Sequence, residues 1–174
     1  MLEKLNPNDF PQIFALMAES FPKDEYRPYQ EQKALMEKLE YQIYTLKNPL
    51  KDEIQAFIAI WEFVHMAFIE HFAVSPSCRN GGLGSKILNQ LTAQCSKLIC
   101  LEAELEETPL AKRRIEFYKR NNFYLNNYTY IMPPVSKGQK PVQMHIMTYG
   151  RPVSKEEFDA IKSTLYSKVY NDAV

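Results

Sequence analysis

Three β-rich runs crowded between residues 41 and 74 constrain this chain more than any other feature: Tyr41 to Leu46, Ile54 to Trp61 and Met66 to Val74. They are separated only by the turn-prone Lys47-Asn48-Pro49 and a short connection at Glu62 to His65. Parallel neighbours need a crossover of about a dozen residues, so this spacing leaves an antiparallel meander. After Val74 the rhythm changes. Ser75-Pro76 breaks the strand, a glycine cluster turns the chain, and Ile87, Leu88, Leu91 and Cys95 recur at helical spacing. The apolar run Leu98 to Leu101 then reads as a buried strand, parallel to the one before it and reached through that helix.

Helices bracket this sheet. Asn8 or Asp9 caps a first one, with Pro11 near its start, and Ile13, Phe14, Leu16 and Met17 repeat until Phe21-Pro22 stops it. A charged stretch from Pro28 to Leu39 puts Leu35 and Leu39 on one helical face. Thr108 caps a helix from Pro109 to Asn121 that carries Ala111, Ile115 and Tyr118 on one side. Phe123 to Met132 and Val142 to Tyr149 read as strands joined by an exposed hairpin loop, Pro133 to Pro141. Ser154 and Glu157, in capping-box spacing, open a last helix that buries Phe158, Ile161, Leu165 and Val169. No repeat, linker or low-complexity tract divides the chain. With 174 residues, 45% of them hydrophobic, a single domain over 1–174 is expected.

Charge and cysteine usage narrow the function classes. Lys plus Arg equals Asp plus Glu at 21 each, so no overall positive field draws the chain to nucleic acid or an anionic membrane. No basic n-region leads an apolar stretch, and no segment nears the roughly 20 apolar residues of a spanning helix, so a cytoplasmic location is expected. Cys78, Cys95 and Cys100 are odd in number and form no Cys-x-x-Cys pair, which fits reduced thiols. His65, His71 and His145 are scattered, and no metal site is expected.

The glycine cluster is where chemistry concentrates. Arg79-Asn80-Gly81-Gly82-Leu83-Gly84-Ser85 joins strand to helix, where backbone N–H groups and the positive end of a helix converge on one spot suited to a phosphate. A P-loop is excluded, because Gly84-Ser85-Lys86 leaves no lysine directly after the last glycine. The dinucleotide fingerprint is closer, since Gly82-x-Gly84 is followed about 20 residues on by Glu102. Ile87 stands where its third glycine belongs, and no doubly wound series of strands and helices follows.

Arg79-Asn80-Gly81-Gly82-Leu83-Gly84 matches Arg/Gln-x-x-Gly-x-Gly/Ala, and the chain here resembles the GNAT superfamily of N-acetyltransferases. Phe68 to Val74 followed by Ser-Pro looks like that family's fourth strand, and Arg113 to Phe123 resembles its second signature helix. The resemblance implies a mixed, mainly antiparallel twisted sheet of about seven strands with helices on both faces, in which two parallel neighbours splay. It implies acetyl-CoA, its pyrophosphate on the amides of Arg79, Asn80, Gly81, Gly82, Leu83, Gly84 and Ser85 and its pantetheine along Phe72, Ala73 and Val74. It implies direct attack of an amine on the thioester, with Tyr118 protonating the leaving thiolate. A phenol with a reference pKa near 10 suits that role.

Glu70 takes the position of a general base, with His71 behind it. Regular alternation puts Glu70 on one face with Phe68, Phe72 and Val74, and His71 on the other with Ile69 and Ala73. Among aromatics the Glu70 carboxyl is expected to have a raised pKa. Two positions depart from the pattern: Ala111 replaces an asparagine that holds the pantetheine in many members, and Arg114 replaces a small residue one turn before Tyr118. The Ala111 departure keeps open an alternative, a catalytically silent acyl-CoA-binding regulatory or interaction module. Lys112, Arg113, Lys119 and Arg120 suit either a nucleotide phosphate or a solvated face opposite Glu102, Glu104, Glu106 and Glu107. The acceptor, a small-molecule amine or a peptide, is expected to enter where the first two helices meet the Pro133 to Pro141 loop, near Glu19, Asp24, Glu25, Tyr26 and Tyr29. A homodimer is a plausible assembly.

Overall fold

In the computed structural model, which describes residues 1–171, β1 (Glu3–Lys4), β2 (Tyr41–Asn48), β3 (Glu53–Glu62), β4 (Met66–Val74), β5 (Leu98–Glu104), β6 (Phe123–Met132) and β7 (Val142–Tyr149) form one sheet. Their order is β1-β2-β3-β4-β5-β7-β6, and every pairing is antiparallel except β4 with β5. The meander is the one that the short connections require, and the parallel step falls at the helical crossover through Leu83–Gln94.

Five helices cover the sheet: α1 (Phe10–Ser20), α2 (Tyr29–Ala34), α3 (Leu83–Gln94), α4 (Pro109–Arg120) and α5 (Lys155–Thr164), the last continued by a π-helical turn, Leu165–Val169. Two separate cores identify the faces. Phe10, Ile13 and Met17 of α1 pack with Phe158 and Ile161 of α5 on one side, around Phe57, Trp61 and Phe68. Ile87 and Leu88 of α3 and Ile115 of α4 pack with Ile58, Ile69 and Leu101 on the other. Thr108 caps α4 through the Ala111 N–H at 3.1 Å, and Ser154 and Glu157 form the full capping box of α5.

Two local expectations are corrected, and one strand was not anticipated. The helix expected to reach Leu39 ends at Ala34 and tightens into a 3-10 turn, Leu35–Glu37; Leu39 is 92% exposed and does not share a buried face with Leu35. The strand expected to stop at Leu101 runs to Glu104, because β7 continues to pair with it. The short strand β1 pairs with Tyr44 and Thr45 and carries no apolar run that would mark it.

The parallel pair creates the opening. β4 and β5 pair only from Met66 with Leu98 to Ile69 with Leu101. Beyond this point His71 to Val74 stay with β3, while Glu102 to Glu104 stay with β7, so the two parallel strands separate as the resemblance implied.

Candidate active site

The opening has two sides, built by different means. On the α3 side the site is mostly backbone. Asn80 and Gly82 take left-handed conformations, φ 66° and 76°, and Gly82 is the N-cap of α3 with no side chain to satisfy the helix start. The first helical N–H to find a backbone acceptor is that of Lys86, on Gly82 at 3.1 Å, which leaves the amides of Leu83, Gly84 and Ser85 pointing outward. This is the anion-binding arrangement that the glycine cluster predicts. Gly84 is also required sterically: a Cβ there would lie 3.0 Å from the Phe117 ring and 3.7 Å from Phe72. Arg79 folds back, its Nε donating to the Val74 carbonyl at 2.9 Å.

Phe72 and Phe117 meet with ring centroids 6.2 Å apart, linking β4 to α4 across this face. Tyr118 is wedged edge-on between Phe117 and Phe123, at 5.3 and 5.6 Å. Burial pushes its phenol up to about 12, with Arg114 opposing, and no hydrogen bond to a described residue holds its hydroxyl. The proton therefore stays on Tyr118 throughout the neutral range. Ala111 is buried beneath the same helix, 1% exposed, so its side chain serves packing.

On the α1 side the site is made of side chains from distant parts of the chain, and one irregularity organises it. β4 carries a bulge opposite the Ala59/Ile60 step of β3: Ala59 pairs with His71 and Ile60 with Ile69, leaving Glu70 as the extra residue. The expected alternation is thereby corrected. Phe68, Glu70, His71 and Ala73 face the α1 side, while Ile69, Phe72 and Val74 face α3 and α4. Glu70 and His71, expected on opposite faces, stand side by side.

Their surroundings differ from the aromatic pocket that the sequence suggests. Arg27 Nη1 donates to Glu70 Oε1 at 2.7 Å, Trp61 Nε1 donates to Oε2 at 3.2 Å, and the two charged side chains are 6% and 4% exposed. Burial pushes the Glu70 carboxyl up, but Arg27, His71 and the two donated hydrogen bonds outweigh it, so it lies below the ordinary carboxylate value. The raised pKa expected for Glu70 is thus overturned by a partner 43 residues away in sequence. His71 Nε2 donates to the Glu25 carbonyl at 2.8 Å, and burial lowers this imidazole against the opposing pull of Glu70.

More carboxylates border the opening. Glu25 is half-buried, its carboxyl pushed up to about 8 by desolvation and by Glu104. Glu102 is half-buried at the end of the β4–β5 pairing, where the hydroxyls of Tyr130 and Tyr170 donate to it at 2.5 and 2.7 Å, and desolvation pushes it up to about 7. Arg114 reaches from α4 to Glu104 at 2.5 Å and to the Ser20 carbonyl, lying over the Phe21 ring at 5.2 Å. It ties the helix bearing Tyr118 to the end of α1. Of the other basic residues on α4, Lys112, Arg113 and Arg120 are exposed and Lys119 pairs with Glu116 at 3.1 Å.

The Pro133 to Pro141 loop does approach the first two helices. Gln139 Nε2 donates to the Lys23 and Tyr26 carbonyls, both at 2.8 Å, the Lys140 N–H to Asp24 Oδ1 at 3.2 Å, and the Ser136 hydroxyl to Glu31 at 2.6 Å. Tyr26 and Tyr29 pack on Phe14 at 5.7 and 5.0 Å, which accounts for them as core residues, and Glu19 is exposed. Arg27, Tyr130 and Tyr170 escaped the sequence reading, because nothing local marks a residue whose partner lies far along the chain.

Among the described residues no cluster of His, Cys, Asp and Glu is arranged to hold a metal, the three cysteines are free, and no helix is long and apolar enough to cross a membrane.

Comparison with known proteins agrees with this geometry. The profile of the Acetyltransferase (GNAT) family matches residues 10–123. A protein of Bacteroides thetaiotaomicron assigned as an acetyltransferase of the GNAT family superposes with a TM-score of 0.86 at 29% identity, covering 100% of this chain and 99% of its own. An aminoglycoside 6′-N-acetyltransferase complexed with coenzyme A gives 0.61 at 16% identity, covering 89% and 99%. The ribosomal-protein-S18-alanine N-acetyltransferase of Escherichia coli gives 0.60 at 18%, covering 90% and 96%. The last two share the fold. No curated protein sequence matches the chain.

Proposed function

The chain belongs to the GNAT family of acetyltransferases, and from that premise we propose that it transfers the acetyl group of acetyl-CoA directly to the amine of a cationic small molecule or peptide. The observation that carries this reading is the separation of β4 from β5 after Ile69 and Leu101, which opens the sheet between an uncapped helix start and a cluster of carboxylates. The residues fit the co-substrate. The free amides of Leu83, Gly84 and Ser85, with Arg79, Asn80, Gly81 and Gly82 before them, would hold its pyrophosphate, and the unpaired edge at Phe72, Ala73 and Val74 its pantetheine.

Tyr118 is the general acid of this reading. Its phenol keeps its proton and has a hydroxyl free to meet a sulfur atom. A phenol raised to about 12 protonates a thiolate unfavourably by itself, so the transfer is coupled to loss of a proton from the attacking nitrogen, which restores the phenol. Glu70, expected from the sequence as the base, is held below the ordinary carboxylate value by Arg27 and suits a fixed anion that attracts and holds the acceptor's ammonium. Glu70 and Glu104 are matched by Arg27 and Arg114, while Glu25 and Glu102, pushed up to about 8 and about 7, are carboxyl groups that an ammonium beside them would help to ionise, which favours a cationic acceptor.

The test is thiol release from acetyl-CoA with spermidine, kanamycin and an alanine-led peptide as acceptors. Release that depends on one of these amines, and that falls about 10²- to 10⁴-fold in Tyr118→Phe while acetyl-CoA binding is kept, is the expected result. Tight acetyl-CoA binding with no amine-dependent release would assign the chain instead to a silent binding module.

A further inference from the structure

We infer that His71, through Nδ1, accepts the proton of the acceptor amine, with Glu70 beside it as the anion that steadies the charge; this rests on the acetyl-transfer reading above. The bulge in β4 sets both side chains on the α1 side of the sheet, at the point where β5 turns away. Nε2 is committed, since a carbonyl accepts and never donates: its 2.8 Å contact with the Glu25 oxygen requires the proton to be on Nε2. In the neutral ring Nδ1 is then a bare lone pair.

That lone pair has no partner. Nδ1 is buried, the side chain is 2% exposed, and no described residue donates to it. Glu70 Oε2 is 3.8 Å away, too far for a hydrogen bond and unable to supply a proton as a carboxylate. An unsatisfied buried acceptor costs about 1–3 kcal/mol, and the neighbouring oxygen is also an acceptor, so the pair calls for a group that brings N–H donors. Two further buried side-chain oxygens without partners, Ser20 Oγ and Gln139 Oε1, flank the same Ser20 to Arg27 segment, and Gln139 is fixed to it through Lys23 and Tyr26. An ammonium group supplies what this side lacks.

The charged and titratable groups around the ring are Glu70 on its own strand, Arg27 and Glu25 from the segment after α1, and Glu102 and Arg114 near those partners. Burial keeps the imidazole neutral and Glu70 favours its cation, so it is poised to take a proton and return it.

The steps balance. An ammonium R–NH₃⁺ gives one proton to Nδ1, and the freed lone pair forms the C–N bond at the thioester carbonyl. The C–S bond breaks with its electron pair on sulfur, the Tyr118 proton goes to that sulfur, and the second proton lost from nitrogen restores the phenol. The imidazolium returns its proton to solvent, so one proton is released per amide formed.

His71→Gln tests this, because glutamine keeps an N–H to offer Glu25 and has no base at Nδ1. In the wild type kcat/KM falls on the acid side with an apparent pKa below 6.5, the reference for histidine. In His71→Gln, kcat falls about 10²- to 10⁴-fold and the acid limb disappears, while KM for acetyl-CoA is unchanged. A variant that keeps the limb and stays within about threefold of the wild-type rate, a change too small for a lost general base, overturns the assignment. If no acceptor is acetylated by the wild type, the acetyl-transfer reading fails, and NMR of ¹⁵N-labelled histidine decides the base separately. The expected state at pH 7 is a protonated Nε2 and a bare Nδ1 whose resonance moves when spermidine is added with CoA; an Nδ1–H tautomer or an unresponsive Nδ1 overturns the inference.

Discussion

The two sides of the β4–β5 opening teach different lessons. The α3 side is built by the backbone, from a left-handed Gly82, an uncapped helix start and one close approach at Gly84, all within a few residues. The α1 side is built by side chains that meet across long stretches of chain: Arg27 with Glu70, Tyr130 and Tyr170 with Glu102, Gln139 with Lys23. The first kind of site suits one chemistry, the anion binding proposed for the pyrophosphate of acetyl-CoA. The second is free to vary with the acceptor, and it carries the buried charges.

Breaking the ion pair should have the largest effect. Arg27→Met leaves Glu70 buried without its counter-charge, and stability should fall by about 3–5 kcal/mol in urea denaturation. Acetyl-CoA affinity per folded molecule should survive, since no part of the α3 turn touches Arg27. Equal loss of affinity would erase the distinction between the two sides.

Gly84→Ala is the reciprocal test. Its methyl would press on the Phe117 ring at 3.0 Å, with a cost of about 1–3 kcal/mol and a weaker hold on acetyl-CoA by calorimetry. The pH profile of the ion pair should be left intact. A wild-type affinity would mean that Phe117 yields without disturbing the turn.

A smaller effect separates the sides by pH. Glu102 and Glu25, pushed up to about 7 and about 8 from 4.5, hold protons in the folded chain that the unfolded chain has already released. Stability should therefore fall as pH rises from about 4.5 towards 8. Glu102→Gln should flatten the lower part of that slope in urea midpoints measured across the range; an unchanged slope would remove Glu102 from the account.

The smallest expected change is at the loop. Ser136→Ala deletes the 2.6 Å bond to Glu31 and should cost about 0.5–1.5 kcal/mol at most, while altering KM for the acceptor more than KM for acetyl-CoA. The reverse order would argue that the loop serves the cofactor.

The contrast also explains what could be read from the sequence. The meander, the helical crossover and the strands Phe123–Met132 and Val142–Tyr149 were legible because spacing, turn residues and alternation are local. The α3 turn was legible for the same reason. The bulge at Glu70 was not: Met66 to Val74 reads as a regular strand, and only its pairing with β3 reveals the extra residue that turns Glu70 and His71 to one face. The environment of Glu70 was misjudged because Arg27 lies in a short segment after α1 with no periodic signal. The end of α2 was misjudged because Leu35 and Leu39 share helical spacing, although the chain tightens at Leu35 and turns into β2 before Leu39 can be covered.

The central claim, that the opening beside α3 is an acetyl-CoA site, is tested most directly by thermal unfolding of the protein with acetyl-CoA and with NAD. A ligand that binds only the folded chain adds RT ln(1 + [L]/Kd), about 2.7 kcal/mol at a hundredfold excess over Kd. The account predicts a raised Tm with acetyl-CoA and none with NAD. An unchanged Tm at millimolar acetyl-CoA, or an equal rise with NAD, would contradict it.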